Sequence, residues 1–123
     1  MTTREIAERL VALVRKGKAE RAQRELFAEV AINVEPYGTP TFPRETKGLP
    51  AILEKGHRFG AMIEQVHAIS ISDPLVAGDA FAYAMQLDVT VTGHGRLSVD
   101  ELCIYETKDG KIVSERFTSR LPV

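Results

Sequence analysis

Apolar positions recur at a helical interval through the first half of the chain and then change to strict alternation. In TTREIAERLVALVRKG, Ile6, Leu10, Leu13 and Val14 fall on one stripe, which predicts an amphipathic helix. Thr2 or Thr3 can cap it, Glu5 or Glu8 suits its first turn, and Gly17 ends it. A second helix is expected from about Lys18 to Phe27, carrying Ala19, Ala22, Leu26 and Phe27. AEVAINVEP then reads as a short extended piece, because Glu35 precedes a proline and is pushed toward β geometry. Pro36, Gly38, Pro40 and Pro43 mark an irregular loop from about Tyr37 to Thr46. A third helix is expected from about Leu49 to Gln65, with Pro50 in its first turn. Its apolar stripe is Ile52, Phe59 and Ile63, with Gly56 on the same face.

From Val66 onward the period is two. VHAISISDPLVAGD reads as a strand, a turn and a short link. In AFAYAMQLDVTVT, Phe81, Tyr83, Met85, Leu87, Val89 and Val91 share one face, and Ala80, Ala82, Ala84, Gln86, Asp88 and Thr90 the other. Gly93 to Gly95 forms a hairpin turn, RLSVDELCIYET the next strand, KDGK another hairpin turn and IVSERFTSR the last strand. Helices come first and an antiparallel meander last, which is an α+β order and not alternating βαβ. Neither repeat nor linker divides the chain, so residues 1–123 are read as a single domain.

Composition narrows the class. A hydrophobic fraction of 44% and a charged fraction of 27% are those of a globular domain. A net charge of -1, with basic residues spread along the chain, gives no footprint for nucleic acid or an anionic membrane. No apolar run reaches the roughly 18 residues that a membrane-spanning helix needs. The charged N-terminus lacks a signal region, and the lone Cys103 fits a reducing compartment, so a cytoplasmic location is expected. His57, His67 and His94 lack metal-ligand spacing, and no nucleotide or nucleophile-elbow motif appears. Neither metal nor cofactor is expected.

The candidate chemistry lies in carboxylates that share apolar faces. A curved sheet around helices makes a cone whose concave face can be core or pocket. Parity places Leu97, Val99, Glu101, Cys103 and Tyr105 inward on one strand, and Val113, Glu115 and Phe117 inward on the last. Glu101 and Glu115 therefore face an apolar interior, where a carboxyl group stays neutral or finds a partner. A raised pKa suits it to general acid–base chemistry near neutrality. The alternative is an ion pair between Glu101 and Arg116 or Arg120, or a bulge that turns it outward. Glu35 is mounted rigidly between a strand and Pro36, beside Tyr37. Such mounting suits a proton-transfer group, although a solvated glutamate before a turn would look the same.

The order of elements resembles the nuclear transport factor 2-like superfamily, and within it the SnoaL-like polyketide cyclases and ketosteroid isomerases. LFAEVAINVEPYG, Leu26 to Gly38, resembles that family's LFADDA-x-x-x-DP segment. KGLPAILEKGHRF, Lys47 to Phe59, resembles its G-x-x-AI helix, and ELCIYETKDGKIVSERF, Glu101 to Phe117, its closing hairpin with a DGKI turn. The resemblance implies a cone-shaped, bent antiparallel sheet of about four to six strands wrapped around N-terminal helices. It places Glu35 where ketosteroid isomerase keeps its base before a proline, and Glu101 near that enzyme's protonated carboxylic acid. The tyrosine of the first helix falls at Leu10, so one oxyanion donor is missing. Tyr83, Met85 and Leu87 are implied to line the pocket, with Gly56 and Phe59 from the third helix. Leu10, Leu13, Tyr37, Ile63, Val99, Cys103, Glu115 and Phe117 complete the expected lining.

The leading expectation is therefore an isomerase- or cyclase-like pocket for an apolar carbonyl compound, with Glu35 as base and Glu101 as hydrogen-bond donor. A noncatalytic ligand-binding or dimerisation module is one alternative, and water addition to an epoxide another. A homodimer is expected through the outer sheet face, which carries Ala80, Ala82, Ala84, Leu102 and Ile104.

Overall fold

The computed structural model describes residues 1–123. Helix α1 spans Thr3–Arg15 and begins in a capping box. The Thr2 hydroxyl accepts from the Glu5 amide at 3.1 Å, and the Glu5 carboxylate accepts from the Thr2 amide at 2.9 Å. Gly17, at φ 71°, turns the chain into α2, Ala19–Leu26. Ile6, Ala7, Leu10, Val11 and Leu13 are buried on α1, and each Leu or Ile so placed contributes about 1.5–3 kcal/mol. Helix α2 runs without a loop into β1, Phe27–Val34. A short β2, Glu45–Lys47, pairs antiparallel with β1 before α3, Leu49–Met62.

Helix α3 ends three residues before the expected Gln65. Ile63 already opens β3, Ile63–Ile71, where it pairs with Val91. Cross-strand pairing thus overrides the helical period at this junction. Strands β4, Leu75–Ala77, β5, Ala80–Val91, β6, Gly95–Lys108, and β7, Lys111–Phe117, complete the chain. The sheet is curved and unclosed, in the order β2-β1-β7-β6-β5-β3, with β4 also on β5. All neighbours are antiparallel except β1 and β7, which run parallel. The seventh strand beyond the expected range reflects two three-residue strands, β2 and β4. No helix is long and apolar enough to cross a membrane.

Register fixes which side chains face inward. Tyr83 pairs with Cys103, Met85 with Glu101 and Leu87 with Val99, so these three rows share the concave face. The register slips between β6 and β7: Glu106 pairs with Ser114 but Thr107 with Ile112, leaving Val113 as an extra residue. That bulge corrects the inward set expected for β7. Ile112, Glu115 and Phe117 face the interior, Ile112 being fully buried, whereas Val113 sits on the bulge.

Two apolar clusters form. The larger joins α1 and α2 to the middle of the sheet through residues such as Leu10, Phe27, Ile52, Phe81 and Tyr105. The smaller gathers Phe42, Val89, Val91, Leu121 and Val123, with Phe59 and Ile63 against it. Thr39 holds the chain end in that cluster by donating from its hydroxyl to the Val123 carbonyl at 2.7 Å.

Candidate functional site

Both clusters bound one cavity of about 350 Å³. Residues from all three helices, from β1, β3, β5, β6 and β7, from the loop after β1 and from the tail after β7 line it.

Strand β1 delivers Asn33 inward and leads directly to Glu35. The Glu35 amide donates to the Arg44 carbonyl at 2.7 Å, which ties the strand exit to the far side of the Pro36–Pro43 loop. The Glu35 side chain is 6% exposed. Two cations reach its carboxylate: Lys55 Nζ at 3.8 Å and Arg120 Nε at 3.6 Å. Burial raises the Glu35 pKa above its ordinary value, and Lys55 and Arg120 pull it partly back. Arg120 is anchored in turn by donating to the Tyr37 carbonyl at 2.7 Å, its guanidinium 5.5 Å from the Tyr37 ring centre.

Behind Glu35 lies a continuous polar relay. Lys55 Nζ donates to Asn33 Oδ1 at 2.5 Å, and Asn33 Nδ2 donates to Glu115 Oε1 at 2.8 Å. Lysine has no acceptor, so it fixes which way the Asn33 amide points. Tyr105 donates to the other Glu115 oxygen at 2.6 Å. With its proton committed there, Tyr105 accepts from Tyr83 at 3.0 Å. Burial raises the Glu115 pKa, while the donors from Tyr105 and Asn33 favour its anion. Burial also pushes both phenols well above their usual range, so they remain hydroxyls.

Glu101 differs. No cation lies within ion-pairing distance of it, and its one side-chain contact is Cys103 Sγ at 3.8 Å. The ion pair considered for it is not formed: Arg116 is exposed on the convex face and Arg120 turns to Glu35. Burial, then repulsion from Glu35, pushes its pKa up to about 8. The cavity thus holds a carboxylate beside two cations and, on another strand, a carboxylic acid that is neutral at pH 7. Burial pushes the Cys103 thiol far up as well, so it is no thiolate nucleophile at neutral pH.

Of the expected lining residues, Leu10, Gly56, Phe59, Tyr83, Met85, Leu87, Val99, Cys103, Glu115 and Phe117 border the cavity, together with Glu35 and Glu101. Three do not. Leu13 is buried in the larger cluster, because the cavity follows the Leu10–Val14 ridge of α1 and Leu13 lies to one side of it. Tyr37 is 47% exposed and serves as an outer support for Arg120. Ile63 is carried off the helical stripe by the early start of β3 and packs in the smaller cluster.

Sequence reasoning missed Asn33 and Lys55 as site residues and considered Arg120 only as a partner for Glu101. Two signals were available. Asn33 is two residues from Glu35 on an extended segment, hence on the same face. Lys55 completes the spacing Ile52, Lys55, Gly56, Phe59, a lysine within an otherwise apolar stripe. The histidines stay outside the site: His57 contacts Glu20, His67 contacts Thr90 at 2.6 Å and His94 is exposed in its turn. No group of three His, Cys, Asp or Glu side chains is arranged to hold a metal ion.

Comparison with solved structures returns the same architecture. A Mesorhizobium loti protein designated a SnoaL-like polyketide cyclase is 32% identical, with a TM-score of 0.87, over 95% of this chain and 98% of its own. A Xanthomonas campestris protein with a cystatin-like fold is 21% identical, with a TM-score of 0.82, over 99% and 93%. A Catenulispora acidiphila protein with a ketosteroid isomerase-like fold is 24% identical, with a TM-score of 0.72, over 95% and 86%. No curated protein matches the chain significantly. Residues 1–119 match the profile of the SnoaL-like domain, and the chain belongs to that family.

Proposed function

We propose that the cavity binds an apolar carbonyl compound and moves a proton next to the carbonyl, as an isomerase or cyclase would, without a cofactor. The observation that carries this reading is the pair of unlike carboxyl groups in one apolar cavity. Glu35, flanked by Lys55 and Arg120, is equipped to be the base. Glu101, unpaired and raised to about 8, is equipped to give a hydrogen bond to the oxygen on which charge develops. Tyr83 cannot readily take that second role, since its proton is engaged with Tyr105. With Leu10 in place of a tyrosine on α1, the donor role falls to Glu101.

A noncatalytic binding module would also keep the Glu35 ion pairs. It has less use for an unpaired acid on the cavity wall, which costs stability and does no work there. The test is exchange of the α-hydrogens of a panel of cyclic ketones in deuterated buffer, followed by NMR. Glu35→Gln should slow enzyme-dependent exchange about 100- to 10,000-fold, the usual contribution of a general base. Equal rates in the two proteins would remove Glu35 from that role.

A further inference from the structure

Lys55 is a half-buried amine that the acid–base reading leaves as a mere counter-ion. It projects from the cavity face of α3, between Ile52 and Phe59. Its side chain is 17% exposed, and its amine lies 6.0 Å from the centre of the Phe117 ring. The chain's other lysines, Lys16, Lys18, Lys47, Lys108 and Lys111, are all exposed. We propose that Lys55 captures the carbonyl substrate as a Schiff base, so that an iminium group takes up the electrons released when the neighbouring carbon loses its proton. This rests on the reading of the cavity as a carbonyl site and names the chemistry by which it would work.

The surroundings supply each part of that step. Lys55 Nζ first gives up one proton, for which the Glu35 carboxylate stands 3.8 Å away. The free amine adds to the carbonyl carbon, forming the C–N bond as the carbonyl π electrons move to oxygen. That oxygen takes a proton from the neutral acid Glu101. The nitrogen, cationic after addition, gives one proton back to the Glu101 carboxylate, which frees its lone pair. Glu35 then returns its proton to the same oxygen, which leaves as water as that lone pair forms C=N. One ammonium and one carbonyl thus become one protonated iminium and one water, with Glu101 again an acid and Glu35 again a carboxylate. Glu35 then removes the α-hydrogen to give an enamine. Protonation at another carbon and hydrolysis release the rearranged carbonyl compound and restore the amine.

The charges facing Lys55 act in both directions. Asn33 faces it from β1, Glu35 from just beyond that strand, Glu115 from β7, Glu101 from β6, and Arg120 from the tail after β7. Burial lowers the ammonium pKa and Arg120 adds to this, while Glu35, Glu115 and Glu101 oppose it. The net direction is downward, toward a free amine. The covalent route also replaces what α1 lacks, because an iminium needs no tyrosine to hold an oxyanion.

Reductive trapping tests it. The whole protein is incubated with cyclohexanone and sodium cyanoborohydride, and modified lysines are located by peptide mass mapping. Lys55 should be alkylated about tenfold faster than the exposed lysines, as a desolvated amine should be. Lys55→Arg, checked for native circular dichroism, should lose both that adduct and ketone α-exchange. Lys55→Gln, equally small in its demand on the cavity, should do the same. Labelling confined to the exposed lysines overturns the proposal. So does α-exchange that survives Lys55→Arg, which would leave Glu35 as base with a simple enolate. An adduct at Lys55 in Glu35→Gln, with exchange abolished, supports both assignments. An adduct with exchange unaffected by Glu35→Gln supports the Schiff base and removes Glu35 from its role.

Discussion

At the scale of single residues, Glu101 ties the stability of the fold to pH through one proton. Its folded-state pKa of about 8 lies well above the 4.5 of a free glutamate. Between those values the unfolded chain has released a proton that the folded chain retains, so unfolding becomes easier as pH rises. The cost is absent below about pH 4.5 and complete above about pH 8. Glu101→Gln removes it. After allowing for the partial exposure of the group, the variant should gain on the order of 2–4 kcal/mol at pH 8.5 and almost nothing at pH 4. Urea unfolding at the two pH values measures this. The same proton sets a limb in the activity profile. If Glu101 donates to the substrate oxygen, the rate falls as pH rises through about 8, and Glu101→Gln should abolish that limb. A variant that is more stable yet poorer in catalysis is the expected signature of a strained functional group.

At the scale of elements, the sequence was most readable where one period ran long. The alternation from Phe81 to Val91 and from Leu97 to Tyr105 gave the correct concave face on β5 and β6, and with it the inward position of Glu101. On β7 it gave Glu115 and Phe117 correctly but took Val113 for Ile112, because a bulge leaves no mark in alternation when both faces are apolar. The exchange of helix for strand at Ile63 was hidden for a related reason. Ile63 continues the α3 stripe, and the choice between the two is made by Val91, far along the chain. Glu35 was legible as a rigid mount through Pro36, but its cations were not, since Lys55 and Arg120 come from α3 and the tail. Gly56 gives this element its own prediction. A Cβ built there meets only Gln23 Oε1, at 3.9 Å. Gly56→Ala should therefore stabilise α3 by about 0.5–1 kcal/mol, read from thermal unfolding, and narrow the cavity enough to weaken binding of bulky ketones before small ones.

At the scale of the whole molecule, the concave and convex faces of the sheet pose opposite problems. The concave face is packed at one end by α1 and at the other by Phe42, Leu121 and Val123, so most of its apolar surface is covered. On the convex face, Leu102 is 48% exposed and Ala84 is exposed, with Ala82 and Ile104 half-buried beside them. This patch sits at the centre of the sheet, between exposed Asp100 on β6 and exposed Arg116 on β7. A second copy related by a two-fold axis would set each aspartate opposite its partner's arginine across an apolar centre, which is the self-complementarity that an isologous contact needs. We therefore expect a homodimer through this face. Sedimentation equilibrium at micromolar concentration should report a dimer for the native chain. Leu102→Glu, which puts two like charges near the axis, should report a monomer with unchanged circular dichroism. The cavity lies on the other face of the sheet, so the monomeric variant should keep whatever α-exchange the native chain shows with the ketone panel. A simultaneous loss of dimer and activity would mean that the second copy braces β6, and with it the position of Glu101.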